Sequence, residues 1–278
     1  ILGFAQLMQR SNTLPPEHQE NVGIILRSGE HLLNLINQVL DLSKIEAGRI
    51  NLNSKNFDLY RLLDDLEEMF ELKAVEKGLQ LIFELSDQIP RYVCTDETKL
   101  RQVLINLLNN AIKFTVSGGI VLKIQASQQQ NTSYILSFEV EDTGVGIAET
   151  ELSELFQAFV QTQAGKNTQE GTGLGLIISQ KFIQLMGGDI QVSSVLHQGT
   201  KISFTIRVNV VTANEIENKI KTKRVIALAP NQPTYRILAV DDQPLNRQLL
   251  VKLLTPLGFE VKEAVNGQQA IEIWEDWQ

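Results

Sequence analysis

The sequence predicts a multidomain α+β chain: a helical hairpin, then a two-layer α/β sandwich, then the opening of a doubly wound α/β sheet. Three observations predict it. The apolar period changes after Gly48, from about 3.5 residues to alternation mixed with helical stripes. Two glycine-rich stretches, Asp142–Ile147 and Gly171–Leu176, break the second region at strand-helix junctions. The last segment reads β-α-β-α, the start of a parallel sheet.

The first region opens with an apolar-faced helix ending near Arg10, and Ser11 to Pro16 forms a loop. Glu17 to Ala47 is a long helix in which Val22, Ile25, Gly29, Leu32, Ile36 and Val39 follow a coiled-coil repeat, and Gly48 ends it in a left-handed cap. An antiparallel hairpin this narrow buries little surface alone, so it should pair with a second copy into a four-helix bundle.

Ile50 to Asp58 reads as a strand. Asp58 caps a helix to about Lys77, with Leu62, Leu63, Leu66, Met69 and Phe70 inward, and Gly78 stops it. Leu79 to Leu85 alternates as a strand. In the next helix, Asp96 to Thr115, Thr95 or Asp96 is the cap, and Leu100, Val103, Leu104, Leu107, Leu108 and Ala111 form the buried stripe. Gly119–Ser127 and Tyr134–Glu141 form an antiparallel hairpin across the polar turn QQQNTS. Gly171 to Met186 is a helix, and Ile190–Leu196 with Thr200–Val208 forms a second hairpin. Strands with helices banked on one side make two layers. Thr212 to Gln232, with KIKTKR inside it, reads as a linker. Arg236–Val240 is a short apolar strand followed by Asp241 and Asp242, an amphipathic helix, the strand FEVKEA, the turn Asn266–Gly267 and a further helix. The expected boundaries are 1–49, 50–211, 212–233 and 234–278.

Composition narrows the function. The chain has 278 residues, 43% hydrophobic and 21% charged, with a net charge of −8. That balance argues against a nucleic-acid footprint. A single cysteine, Cys94, excludes an intrachain disulfide and fits a reducing, cytoplasmic compartment. No apolar run is long enough to span a bilayer, so membrane attachment is expected only through regions outside this chain. The start inside a helix and the stop after IEIWEDWQ suggest a piece of a longer protein.

The candidate chemistry sits on Asp96–Thr115 and the glycine loops. Asn106 and Asn110 lie i, i+4 on one face, with Lys113 close to it. Carboxamide oxygens and an ammonium suit a metal-phosphate ligand, though a solvated polar face would carry the same residues. Asp142 at a strand end can accept from an exocyclic amine. The second glycine loop puts backbone N–H groups at a helix N-terminus, a phosphate site. Between the loops, Gln157 to Glu170 is long and hydrophilic, with the character of a lid. No nucleophile with a base partner and no Cys/His zinc cluster is evident.

Together these stretches resemble the catalytic, ATP-binding domain of a sensor histidine kinase, of the GHKL superfamily with its Bergerat-type ATP-binding sandwich. DETKLRQVLINLLNNAIKFT resembles the N box, DTGVGI the G1 box, ELFQAFVQ the F box and GTGLGL the G2 box, in order and in register. The hairpin resembles the dimerisation and phosphotransfer domain, DLSKIEAGR its exit, and the last segment the start of a flavodoxin-like response-regulator receiver, so the chain resembles part of a hybrid kinase. The resemblance implies ATP and Mg²⁺, a homodimer through the hairpin, and receiver or phosphotransfer domains as partners. Asn110 would ligate Mg²⁺ beside Asn106, Lys113 would meet phosphate, and Asp142 the adenine amino group. Gly144, Gly146 and Ile147 would form the base-side loop. Gly171, Thr172, Gly173, Leu174, Gly175 and Leu176 would wrap the phosphates. Phe156 and Phe159 would anchor the lid, and Asp241 and Asp242 match the receiver's acidic pair. His18, His31 and His197 sit in no matching motif. The acceptor histidine is expected before Ile1 and the acceptor aspartate after Gln278. The related ATP hydrolases carry a glutamate base where Asn106 stands, and a carboxamide takes no proton from water. A nucleotide sensor that binds without phosphotransfer, or such an ATP hydrolase, is the alternative reading.

Overall fold

The structure is a computed structural model and describes residues 1–9, 15–130, 132–160, 172–215, 228, 232–233 and 235–277. Two compact units divide the chain: residues 1–33 with 219–278, and residues 34–218.

The larger unit holds the sandwich. Its strands are β1 (Lys55–Asp58), β2 (Gln80–Leu85), β3 (Tyr92–Thr95), β4 (Gly119–Gln130), β5 (Ser133–Asp142), β6 (Ile190–Val195) and β7 (Gly199–Val210). They form one mixed sheet in the order β1-β3-β7-β5-β4-β2. The long β7 gives one edge to β5 and shares the other between β6 and β3. β4 and β5 form the predicted hairpin, but the strands run on through the expected QQQNTS turn to Gln130 and from Ser133, and β2 runs parallel to β4. The helices α3 (Leu59–Glu76) and α4 (Glu97–Phe114), the short α5 (Glu149–Leu152) and α6 (Gly175–Leu185) complete the unit, together with the end of α2 (Pro16–Glu46).

Alternation along the strands separates the two faces of the sheet. One face buries Leu136, Phe138, Val140, Ile202, Phe204 and Ile206. The Phe138 and Phe204 rings, directly opposite in register, stack at 4.7 Å. The other face carries Lys123, Glu139, Glu141 and Lys201, ion-paired across the strands. Helices therefore cover one side, and the unit has two layers. On α4 the predicted stripe is buried throughout: Leu100, Val103, Leu104, Leu107, Leu108 and Ala111 are 0–3% exposed.

Several expectations shift. The strand expected from Ile50 is ordered as a strand over Lys55–Asp58 alone. β3 was not expected; its four residues are too few to display a period, and sheet neighbours define it. On α3, Leu62, Leu63, Leu66 and Phe70 are buried, but Met69 is 38% exposed at the edge of the stripe. The helix expected from Gly171 begins at Gly175. Gly48 takes the left-handed φ of 63° that ends α2.

In the smaller unit α1 (Leu2–Gln9) lies against the first half of α2, with Ala5, Val22 and Leu26 buried between them. β8 (Arg236–Val240) and β9 (Glu260–Ala264) are parallel neighbours joined through α7 (Pro244–Leu254), and α8 (Gly267–Asp276) follows. Most of the expected linker, including KIKTKR, lies outside the described residues, as do Gly171 and residues 161–170 of the expected lid. No described helix is long and apolar enough to cross a membrane.

Candidate functional site

Helix α4 is the wall of the site. Asp96 caps it, and its carboxylate takes the Lys99 N–H at 3.1 Å, the Asn53 N–H at 2.9 Å and the Lys99 ammonium at 2.6 Å. With the first turn fixed in this way, the helix presents Asn106, Asn110 and Lys113 along its polar side.

Asn106 joins two helices. Its Nδ2 donates to the Ser179 hydroxyl of α6 at 3.0 Å. Its Oδ1 occupies the space that a Cβ on Gly175 would need, so only glycine lets the start of α6 come this close. Two turns later, the carbonyl of Phe114 takes the Val145 N–H at 3.2 Å, and a Cβ on Gly144 would sit 2.5 Å from that same carbonyl. The α6 N-terminus is thus tied to one end of this stretch and the Asp142 loop to the other, about 12 Å apart by helical rise. Asn110 lies between them, half-buried, and its carboxamide has no hydrogen bond among the described residues. Lys113 is also half-buried, its ammonium 5.1 Å from the Phe114 ring centre.

Asp142 ends β5 half-buried. One carboxylate oxygen, Oδ1, accepts the Gly144 N–H at 2.8 Å and the Thr200 N–H at 3.3 Å. Oδ2 has no partner among the described residues and is not sealed from solvent. Burial pushes this carboxyl above its ordinary range, and Glu141 adds to the effect. The two backbone donors oppose it without cancelling it. Asp96 goes the other way. Burial alone would raise it, but the Lys99 ammonium and the two backbone N–H donors hold it below its ordinary range.

The loop after Asp142 is pinned on its far side. Gly146 takes a φ of 67° and its missing Cβ leaves room for the Val195 carbonyl. The Ile147 N–H donates to Ser194 Oγ at 2.8 Å, and the His197 N–H to the Val145 carbonyl at 2.7 Å. Both glycines therefore have a packing reason of their own, in addition to any approach of a ligand. In the second loop, Thr172 Oγ1 accepts the Leu174 N–H at 3.0 Å and donates to Gln38 Oε1 of α2 at 2.7 Å. Gly173 lies against the backbone of Phe159 and Val160, and Leu174 and Leu176 anchor the start of α6 in the core.

Residues 95–210 match the histidine kinase-, DNA gyrase B-, and HSP90-like ATPase family, and residues 1–48 match the His Kinase A (phospho-acceptor) domain. The chain belongs to the histidine kinase family. It is 35% identical over 280 residues to the autoinducer 2 sensor kinase/phosphatase LuxQ of Vibrio vulnificus, a match covering 98% of this chain and 32% of that one. It is 36% identical over 236 residues to the signal transduction histidine-protein kinase BarA of Escherichia coli, covering 83% of this chain and 26% of BarA. Among solved structures, full-length ShkA in complex with AMPPNP superposes with a TM-score of 0.62 at 29% identity, covering 98% of this chain and 53% of that one. The chain thus spans about a third or less of these two curated relatives.

In this histidine kinase chain the sequence-predicted residues fall into separate groups. Asn106, Asn110 and Lys113 lie along α4, the Asp142–Ile147 loop meets α4 at Phe114 and the Thr172–Leu176 stretch meets it at Asn106, while Gly171 lies outside the described residues. Phe156 packs on the core. Phe159 does not: it is 67% exposed with a φ of 65°, and its N–H donates to the Gly173 carbonyl at 3.2 Å. The segment is held there by its backbone, which the aromatic identity of Phe159 could not reveal. Asp241 and Asp242 belong to the other unit. Asp241 accepts the Gln243 N–H at 2.7 Å and the Asn246 amide, while Asp242 is exposed. Among the described residues no group of three acidic, histidine or cysteine side chains could hold a metal. Sequence reasoning missed Gln38, Ser179, Ser194 and Thr200, polar residues in no glycine box whose partners lie far along the chain.

Proposed function

We propose that this chain is the ATP-binding catalytic region of a hybrid sensor histidine kinase. It moves the γ-phosphoryl group of ATP to a histidine outside this chain, and the group passes onward to a receiver aspartate, also outside it. The observation that carries this reading is Asn110, a half-buried carboxamide with no hydrogen bond among the described residues, placed between the Asp142 loop and the start of α6.

Asp142 Oδ2 is the acceptor for the adenine amino group. Backbone N–H groups of Gly173, Gly175 and Leu176 at the start of α6 serve the phosphates with the helix dipole behind them, while the Leu174 N–H is held by Thr172. Lys113 adds positive charge. The Asn110 carboxamide oxygen is a hard donor suited to Mg²⁺, which neutralises phosphate charge when bound. Transfer breaks the bond from the γ-phosphorus to the ADP oxygen and forms one to an imidazole nitrogen. A neutral imidazole supplies its own lone pair, so no carboxylate base is needed. Asn106 fits this chemistry, since its amide is committed to Ser179. Residues 234–278 are read as the start of a receiver, with Asp241 and Asp242 at the carboxyl end of β8, where parallel sheets open their crevice. The exposed stripe Ile25, Leu32, Ile36 and Val39 on α2 is read as the seam of a homodimer.

The test supplies a separate phosphotransfer hairpin and labelled Mg-ATP. The parent should form an acid-labile phosphohistidine. Asn110→Ala should lower the rate at least tenfold while leaving the unfolding midpoint unchanged, because a half-exposed polar residue carries little packing. Nucleotide binding by the parent with no transfer would replace the kinase reading with a nucleotide sensor.

A further inference from the structure

Three polar residues form a row across three neighbouring strands. Ser194 of β6 is directly opposite Thr200 of β7, and Thr200 is directly opposite Asp142 of β5. Opposite residues in antiparallel pairs project from the same face, here the face that the helices cover. Thr200 is 9% exposed, so the direction of its hydroxyl proton is set by protein neighbours.

That direction follows from the partners. Ser194 Oγ lies 2.8 Å from the Gly199 carbonyl oxygen and 2.9 Å from Thr200 Oγ1, and it accepts the Ile147 N–H at 2.8 Å. A carbonyl can only accept, so the single Ser194 proton goes to Gly199. The Thr200 hydroxyl must then give its proton to Ser194. Toward the Asp142 side it has only lone pairs left to offer. Asp142 Oδ2 is an acceptor too, so this corner presents acceptors alone.

We propose that Ser194 is a specificity-determining positioning residue: by taking the Thr200 proton it makes the base-binding corner read an amino group and reject a carbonyl, selecting adenine over guanine nucleotides. The proposal rests on the reading of Asp142 as the base acceptor. At the edge where adenine carries an amino donor, guanine carries a carbonyl oxygen, which meets two sets of lone pairs and leaves them unpaired. Without Ser194, the Thr200 hydroxyl is free to rotate and donate, and the guanine carbonyl gains a partner.

Calorimetric titration with non-hydrolysable ATP and GTP analogues in Mg²⁺ tests this on the parent, Ser194→Ala and Ser194→Thr. The parent should prefer the adenine analogue. Ser194→Ala should narrow the adenine-to-guanine affinity ratio about tenfold, the worth of one hydrogen bond changed from repulsive to attractive. Ser194→Thr keeps a hydroxyl and should keep the ratio. A merely structural role would weaken both nucleotides together and leave the ratio alone. A folded Ser194→Ala with the parental ratio overturns the proposal. If Ser194→Ala fails to fold, Thr200→Val serves instead, and an unchanged ratio there overturns it equally. A parent that binds neither analogue would overturn the base-acceptor reading itself, a distinct result.

Discussion

Two strands of the same sheet, β3 and β5, lead to aspartates that have been put to opposite uses, one just past the strand and one at its last residue. Asp96 after β3 is 2% exposed, and both of its oxygens are taken by its own chain. Asp142 at the end of β5 keeps one oxygen for the protein and leaves the other open. The Lys99 ammonium and the backbone donors around Asp96 favour the charged form, whereas the burial around Asp142 opposes it. A carboxylate whose hydrogen bonds are complete contributes to folding. One left incomplete beside a half-buried loop costs stability, and that cost is the mark of a binding residue.

Removing Asp96 should have the largest effect on the fold. Asp96→Ala deletes the α4 cap, frees the Asn53 N–H and leaves the Lys99 ammonium, at 16% side-chain exposure, without its carboxylate. A loss of about 3 kcal/mol in urea unfolding is expected. Its pH dependence has a definite sign. The folded-state value of Asp96 is depressed, so its contribution is present above the ordinary carboxylate value and fades as pH falls through the folded one. The gap between parent and variant should therefore close in acid. A gap independent of pH would show that the carboxylate charge is irrelevant to the cap.

Asp142→Asn should reverse the pattern. The folded-state value is raised, so the carboxyl's contribution is present below its ordinary value and lost as pH rises through the raised one. At neutral pH the variant should be as stable as the parent or more so. Nucleotide affinity should fall ten- to a hundredfold, the loss of a charge-assisted acceptor. A variant that loses stability and keeps its affinity would place Asp142 with Asp96 and remove the contrast.

The same contrast explains what was legible in the sequence. The α4 stripe, the β4–β5 hairpin and the position of Asp142 at a strand end all follow from local period and are present as expected. Asn106, Asn110 and Lys113 came from spacing on one helix, and they do share one side of it. Four-residue β3 carries too little local signal, and Ser194, Thr200 and Gln38 acquire their roles from partners that only the fold brings near. Met69 was misplaced because a period gives the centre of a buried stripe more reliably than its edge. The α2 stripe was read correctly as apolar, but most of it is uncovered in the single chain: Ile25, Leu32, Ile36 and Val39 are 42–58% exposed. Ile36→Lys should therefore raise the dimer dissociation constant by about tenfold or more, since a charge would enter a desolvated seam, while changing the unfolding of the sandwich by about 0.5 kcal/mol or less. Sedimentation equilibrium measures the first, and a parent that is monomeric at every concentration would end the dimer reading.

The smallest predicted effect lies two residues further along the same helix, and it separates the two faces of α2. Gln38, Leu42 and Ile45 follow at i, i+4 and i+7, a second stripe turned toward the sandwich. Leu42 and Ile45 pack on its core, and together with Ile177 and Leu185 of α6 they line a groove of about 510 Å³. Gln38 is the polar member of this stripe, and its Oε1 takes the Thr172 proton. Thr172 in turn accepts the N–H of fully buried Leu174, just before the first turn of α6. Gln38→Leu removes the acceptor and leaves the Thr172 hydroxyl to turn toward solvent or the phosphates. One neutral hydrogen bond is worth about 1 kcal/mol, so exchange of the Leu174 amide should quicken about fivefold and nucleotide affinity should change by no more than that. The dimer dissociation constant should stay at its parental value, because the seam residues lie on another face. If Gln38→Leu shifts dimerisation as strongly as Ile36→Lys, the two stripes are a single surface, and α2 does not address the nucleotide loop separately from its partner helix.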